Sequence, residues 1–145
     1  MDDVRVRLAA LVALLAVASL AWLWLRSRAG RVQAVDDGER LAAADLGADL
    51  GAQATFLQLS SPACAPCRSV ARVLTEVVAE HPDVAHVEVD ATERLDLARR
   101  LHVMRTPTVL VLDAGGRVVS RFSGEATRAQ VLDTLPSPTP TGATR

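Results

Sequence analysis

Hydrophobic positions divide this chain into one long uncharged block and a series of short periodic segments. The block is residues 8–25, LAALVALLAVASLAWLWL, without a single charge. As a helix it would reach about 27 Å, close to the roughly 30 Å of a bilayer's hydrocarbon core. Arg5 and Arg7 bound one end, and Arg26, Arg28 and Arg31 bound the other. Trp22 and Trp24 lie near one end, where indoles suit the lipid interface. A buried core helix is disfavoured, because the block has no polar face and is flanked by charge on both sides. Its rival is a signal peptide with Ala16-Val17-Ala18 as a small-residue cleavage site. Cleavage there would leave SLAWLWL as an exposed apolar start, which favours a single-span anchor.

Beyond the block the periodicity alternates between two values. Asp36 and Glu39 have capping-box spacing, predicting a helix from about residue 38 to 50, weakened by Gly47. Residues 54–59, ATFLQL, read as a strand ended by Ser60-Ser61-Pro62. Val70, Val73, Leu74, Val77 and Val78 then fall at i, i+3, i+4, i+7 and i+8. That spacing puts them on one face of a helix, with Arg68, Arg72, Glu76 and Glu80 largely opposite, and His81-Pro82 ends it. Residues 84–89, VAHVEV, alternate as a strand. Asp90 and Glu93 again have capping-box spacing, predicting a helix to about Leu101 with Leu95, Ala98 and Leu101 on one side. Residues 108–112, TVLVL, form the unbroken apolar run of a buried central strand. Asp113-Ala114-Gly115-Gly116 is a hairpin signal, 117–122 the returning strand, and a last helix runs from about 127 to 135. The Pro/Thr-rich tail should be disordered.

The expected organisation is therefore a flank (1–7), a transmembrane helix (8–25), a linker (26–37), an α/β domain (38–135) and a tail (136–145). The domain's order is α, β, α, β, α, β, β, α.

Composition narrows the function. All 16 basic residues are Arg, the net charge is -1, and beyond residue 30 twelve Arg meet fifteen acidic residues. Nothing points to nucleic acid. The absence of Lys, with heavy Ala, Val and Arg use, suggests a bacterial source rich in G and C. Two Arg precede the apolar block and three follow it, a balance that leans toward a cytoplasmic domain.

The chain has two cysteines, Cys64 and Cys67, in the run Cys64-Ala65-Pro66-Cys67. Two thiols this close can close and reopen a small disulfide ring. A zinc site needs four ligands, and His81, His86 and His102 show no paired ligand spacing. Each of these histidines reads as a surface or helix-end residue. A purely structural disulfide over so short a loop would constrain little.

The strand, the CAPC at a helix start, the Arg105-Thr106-Pro107-Thr108 run before an apolar strand, and the Gly-Gly hairpin followed by Gly124 come in a fixed order. In that order the chain resembles the thioredoxin family over roughly residues 39–135. The resemblance implies a thioredoxin-like α/β fold, a central mixed β-sheet flanked by helices. It implies a redox-active Cys64–Cys67 disulfide, with Cys64 the attacking thiolate and Cys67 the resolving thiol. Ala65, Pro66, Arg68 and Gln58 would support the pair. Thr106 and Pro107 would bind substrate, with the Thr106–Pro107 bond cis. Two positions depart from the family pattern: Ala63 stands where Trp is common, and Gln58 where a buried Asp is common. Gln58 can hydrogen-bond but cannot titrate.

The resulting expectation is a membrane-tethered thiol–disulfide oxidoreductase acting on protein cysteine pairs. No cofactor and no metal are expected, and an external redox partner is needed. The alternative is a redox-inactive interaction module that keeps the fold and holds a peptide at Thr106-Pro107.

Overall fold

The computed structural model describes residues 2–28, 33–34 and 38–137 of the 145. Helix α1 spans Asp2–Arg28. It contains one apolar stretch, Val6–Trp24, long enough by length and composition to cross a membrane. Its described side chains from Val6 to Trp24 are exposed, so it is not a helix of the domain core.

The domain is built on a five-stranded mixed sheet: β1 (Gln33–Ala34), β2 (Ala54–Ser60), β3 (Val84–Asp90), β4 (Thr108–Asp113) and β5 (Val118–Ser123), in the order β1-β5-β4-β2-β3. β2 runs parallel to β3 and antiparallel to β4. β4 and β5 form the expected antiparallel hairpin. The helices of the domain are α2 (Ala43–Leu46), α3 (Ala65–Glu80), α4 (Leu95–Arg100) and α5 (Arg128–Asp133). All seven residues of β2 are buried, because neighbouring strands flank it and helices cover both its faces.

Alternation along the strands sorts the core into two layers. Leu57, Leu59, Leu110 and Leu112 pack with Leu46, Leu97 and Leu101 on the side of α2 and α4. Phe56, Val109 and Val111 pack with Val70, Leu74, Val77 and Val131 on the side of α3 and α5. The predicted apolar face of α3 thus does its work, with Val70, Leu74 and Val77 fully enclosed.

Four local expectations differ from the structure. The helix predicted over 38–50 shrinks to α2, because the backbone of residues 39–41 pairs with the hairpin instead. Leu41 N–H donates to the Gly116 carbonyl at 2.9 Å, Val118 N–H donates to the Glu39 carbonyl at 3.0 Å, and Arg40 bridges Arg117. Gly116 has φ +77°, and a Cβ there would lie 2.0 Å from the Leu41 carbonyl oxygen, so this approach requires glycine. Asp36, the expected cap, lies outside the described residues.

The helix after Asp90 begins later than predicted. The Asp90 carboxylate accepts from Thr92 N–H at 2.7 Å, an Asx turn that delays α4 to Leu95. Leu95 is consequently exposed, while Leu97 joins Ala98 and Leu101 in the core. Part of the expected linker is a strand: Gln33 and Ala34 pair with Arg121 and Ser120. The last helix is shorter than expected but capped at Thr127, whose hydroxyl accepts from Gln130 N–H while the Gln130 side chain accepts from Thr127 N–H. Of the predicted disordered tail, residues 138–145 lie outside the described residues. Pro136 accepts a hydrogen bond from Gln53 Nε2 at 3.0 Å.

Candidate functional site

The site forms where β2 hands over to α3. Cys64 is the N-cap of α3, with extended backbone (φ -87°, ψ 95°). Pro66 occupies the first turn, where a missing N–H has no helical partner to lose. Cys64 N–H donates to the Ser61 carbonyl at 3.0 Å, which holds the turn before the helix. Cys67 N–H lies 3.2 Å from both the Cys64 carbonyl oxygen and Cys64 Sγ. The first Cys sulfur therefore stands over the unsatisfied N–H groups that open a helix, where negative charge is favoured.

Cys64 and Cys67 are joined by a disulfide with S–S 2.03 Å and Cα–Cα 5.3 Å. The two sulfurs differ in surroundings. Cys64 is half-buried, whereas Cys67 is 2% exposed. Ala63, Ala65, Pro66 and Arg68 are exposed around them. That is the asymmetry a reachable attacking sulfur and a sheltered resolving sulfur require.

The Thr106–Pro107 peptide bond is cis. Thr106 is brought to the cysteine loop through its hydroxyl, 3.2 Å from Ser61 Oγ. Pro107 is buried, and its carbonyl accepts from Gly124 N–H at 2.9 Å. Thr108 Oγ1 donates to the Arg105 carbonyl at 2.8 Å, closing the turn into β4. Residues from three separate stretches of chain thus meet at one end of the sheet.

Beneath the disulfide lies Gln58, fully buried on the α3 side of β2. Its Nε2 faces three acceptors: the Cys67 carbonyl at 3.0 Å, Ser60 Oγ at 2.8 Å and Glu88 Oε1 at 3.2 Å. Its Oε1 is 3.1 Å from His86 Nε2. Ser60 Oγ donates to Glu88 Oε1 at 2.5 Å. This cluster follows from the parallel register, which sets Phe56 against His86, Gln58 against Glu88 and Ser60 against Asp90. Burial pushes the His86 imidazole below its ordinary pKa, and the Glu88 charge opposes that shift.

Of the residues expected at the site, Cys64, Cys67 and Gln58 meet directly, Thr106 reaches the cysteine loop through Ser61, and Pro107 follows it in the chain. The structure leaves Arg68 exposed on the outer side of α3. It corrects one assignment: His86 is not a surface or helix-end residue but a half-buried strand residue bonded to Gln58. His81 does cap α3, and His102 is exposed just beyond α4. Ser60, Ser61 and Glu88 were not anticipated. The alternation of β2 and β3 contained the signal for Ser60 and Glu88, but only once the two strands are aligned.

Comparison with known proteins agrees with this geometry. The family model described as Thioredoxin matches residues 45–137, more than half of the chain. A thioredoxin of Mycolicibacterium smegmatis is 37% identical over 75 residues, covering 50% of this chain and 66% of that protein. Thioredoxin H2-1 of Oryza sativa subsp. japonica is 35% identical over 68 residues, covering 47% of this chain and 49% of its own. Some of the matched relatives are spanned for only about half of their length. Among solved structures, Fasciola hepatica thioredoxin superposes with a TM-score of 0.51 at 26% identity, over 58% of this chain and 79% of its own. Oxidized mitochondrial thioredoxin 3 from Saccharomyces cerevisiae, at 23% identity, shares the fold with a TM-score of 0.51, over 57% of this chain and 76% of its own. With a Cys64–Cys67 disulfide at the N-cap of a helix in a mixed α/β sheet domain, and a family match over residues 45–137, the chain belongs to the thioredoxin family.

Proposed function

We propose that this chain is a membrane-tethered thiol–disulfide oxidoreductase that exchanges disulfides with protein cysteine pairs. The observation that carries the reading is the Cys64–Cys67 disulfide at the mouth of α3, one sulfur half-buried and the other enclosed.

In the reducing direction the cycle starts from the dithiol. The Cys64 thiolate attacks one sulfur of a substrate disulfide, and the other substrate sulfur leaves as a thiolate that takes a proton from water. Cys67, losing its proton, then attacks Cys64 Sγ. The mixed disulfide breaks, the second substrate thiol is released, and the Cys64–Cys67 disulfide is left behind. Two electrons have passed from protein to substrate. An external dithiol must return them before the next cycle, and the opposite direction runs the same steps in reverse.

Ala65 and Pro66 shape the first turn that holds the sulfurs, and Arg68 adds positive charge at the same helix end. Gln58 fixes the Cys67 peptide from below. Thr106, joined to the cysteine loop through Ser61, offers its backbone to an extended substrate segment, with Pro107 behind it. Residues 8–25 anchor the chain in the cell membrane in a single pass, and the domain that follows takes in Gln33 and Ala34 as its edge strand. The domain faces the cytoplasm in this reading, since three Arg follow the span and two precede it.

The test is a Cys67→Ser variant of the full chain. It should accumulate mixed disulfides through Cys64 with protein partners or a model disulfide, resolved by reductant on a non-reducing gel. Absence of any such adduct would favour the interaction-module reading instead. An enzyme-type reporter fused at residue 145 and active only outside the cytoplasm would reverse the orientation.

A further inference from the structure

The Gln58 cluster contains an ionisable group that the exchange cycle above leaves unused. Glu88 sits on the edge strand β3 and is exposed to water, yet its Oε1 is bonded to two enclosed groups, Gln58 and Ser60. Gln58 in turn donates to the Cys67 carbonyl. The carboxylate is therefore no more than two hydrogen bonds from the Cys67 peptide. Cys67 is 2% exposed, so little water surrounds it to offset a charge, whereas the exposed carboxylate end is open to salt.

We propose that Glu88 is a positioning residue for the resolving step, and that its carboxylate, held at Gln58 and Ser60, raises the proton affinity of the Cys67 sulfur while the disulfide is open. This rests on the dithiol reading given above. Like charge disfavours ionisation, so the carboxylate keeps Cys67 in its thiol form. The consequence for the cycle is that Cys64 is the sulfur left as thiolate for attack, while Cys67 waits protonated until a mixed disulfide forms.

Glu88 is the ionised group bonded directly to Gln58 and Ser60. His86 faces Gln58 Oε1, and burial favours its neutral form. Asp90, beside Ser60 in the register, is also a carboxylate, held ionised by Thr92, and it stays in place in every variant compared below. β4 contributes Val109 beside Gln58. The α3 residues Arg68 and Arg72 are exposed.

The experiment uses the full chain carrying Cys64→Ser, which leaves Cys67 as its sole thiol. Thiolate ultraviolet absorbance is followed against pH with Glu88 intact and with Glu88→Gln or Glu88→Asp. At a pH below the midpoint, Glu88→Gln should raise the Cys67 thiolate fraction about threefold or more. Added salt should shrink the difference, because Glu88 is exposed. Glu88→Asp, which keeps the charge, should stay near the parent. Coincident curves for Glu88→Gln and the parent would overturn the proposal. So would a lower thiolate fraction, or an Asp variant that shifts as far as the Gln variant. This readout depends on Cys67 alone, whereas the trapping experiment depends on Cys64. The two readings can therefore fail separately.

Discussion

Reducing the disulfide should cost the domain little stability, and the size of that cost follows from the loop it closes. Cys64 and Cys67 are three positions apart, so the cross-link encloses four residues. A chain-entropy treatment gives such a loop about 2 kcal/mol, against nearly 5 kcal/mol for a loop of about 100 residues. Part of this is offset on reduction, because a Cys64 thiolate at the N-terminus of α3 gains about 0.3–1 kcal/mol from the helix dipole. The net loss should be about 1–2 kcal/mol. With a slope of about 1 kcal/mol/M for a domain of this size, the urea midpoint should fall by roughly 1–2 M. The assay is urea unfolding of the full chain followed by circular dichroism, with and without dithiothreitol. A much larger fall, or unfolding by reductant alone, would show the opposite. The disulfide would then be a staple, and the two packed layers around Phe56 and Leu57 would not be what holds the domain.

Three further outcomes follow from the packing and the charges. Phe56→Ala empties a fully buried position under α3 and should destabilise the domain by about 3–5 kcal/mol in the same urea assay. The His86 ring should titrate below the ordinary histidine range in a proton-resolved NMR titration, because burial disfavours its charged form, and Glu88→Gln should lower its midpoint further. The sign for stability is fixed by that direction. The unfolded chain binds the proton first, so the His86 contribution is complete above the unfolded value of 6.5 and is lost as pH falls toward the folded one. A His86→Gln variant should accordingly lose less stability than the parent on acidification through that window, read from urea midpoints.

The parts of the fold that sequence made legible are those where one local pattern decides the outcome. The Val70–Val78 spacing can only be a helix with one apolar face. The run at 108–112 can only be buried on both sides. The cysteine pair and Thr106-Pro107 were legible as an ordered set, and the fold brings them together. What stayed hidden depends on partners distant in sequence. Residues 39–41 have helical spacing but are claimed by the backbone of Gly116 and Val118. Gln33 and Ala34 carry no strand signal of their own and pair only because β5 presents an edge. Asp90 suits a cap or an Asx turn equally in sequence, and Thr92 decides between them. The Gln58–Glu88 contact requires the β2–β3 register, set by residues thirty positions apart. His86 looked solitary for the same reason.

The exchange cycle depends on Cys64 being the acidic, reachable sulfur at the helix mouth and on Cys67 being sheltered. The decisive measurement is alkylation of the freshly reduced full chain with limiting iodoacetamide at neutral pH, mapped by mass spectrometry. Label should appear on Cys64 well ahead of Cys67, entering faster than into the same chain unfolded in urea. Equal labelling of the two, or a Cys64 slower than its unfolded counterpart, would mean that the helix mouth does not activate this sulfur.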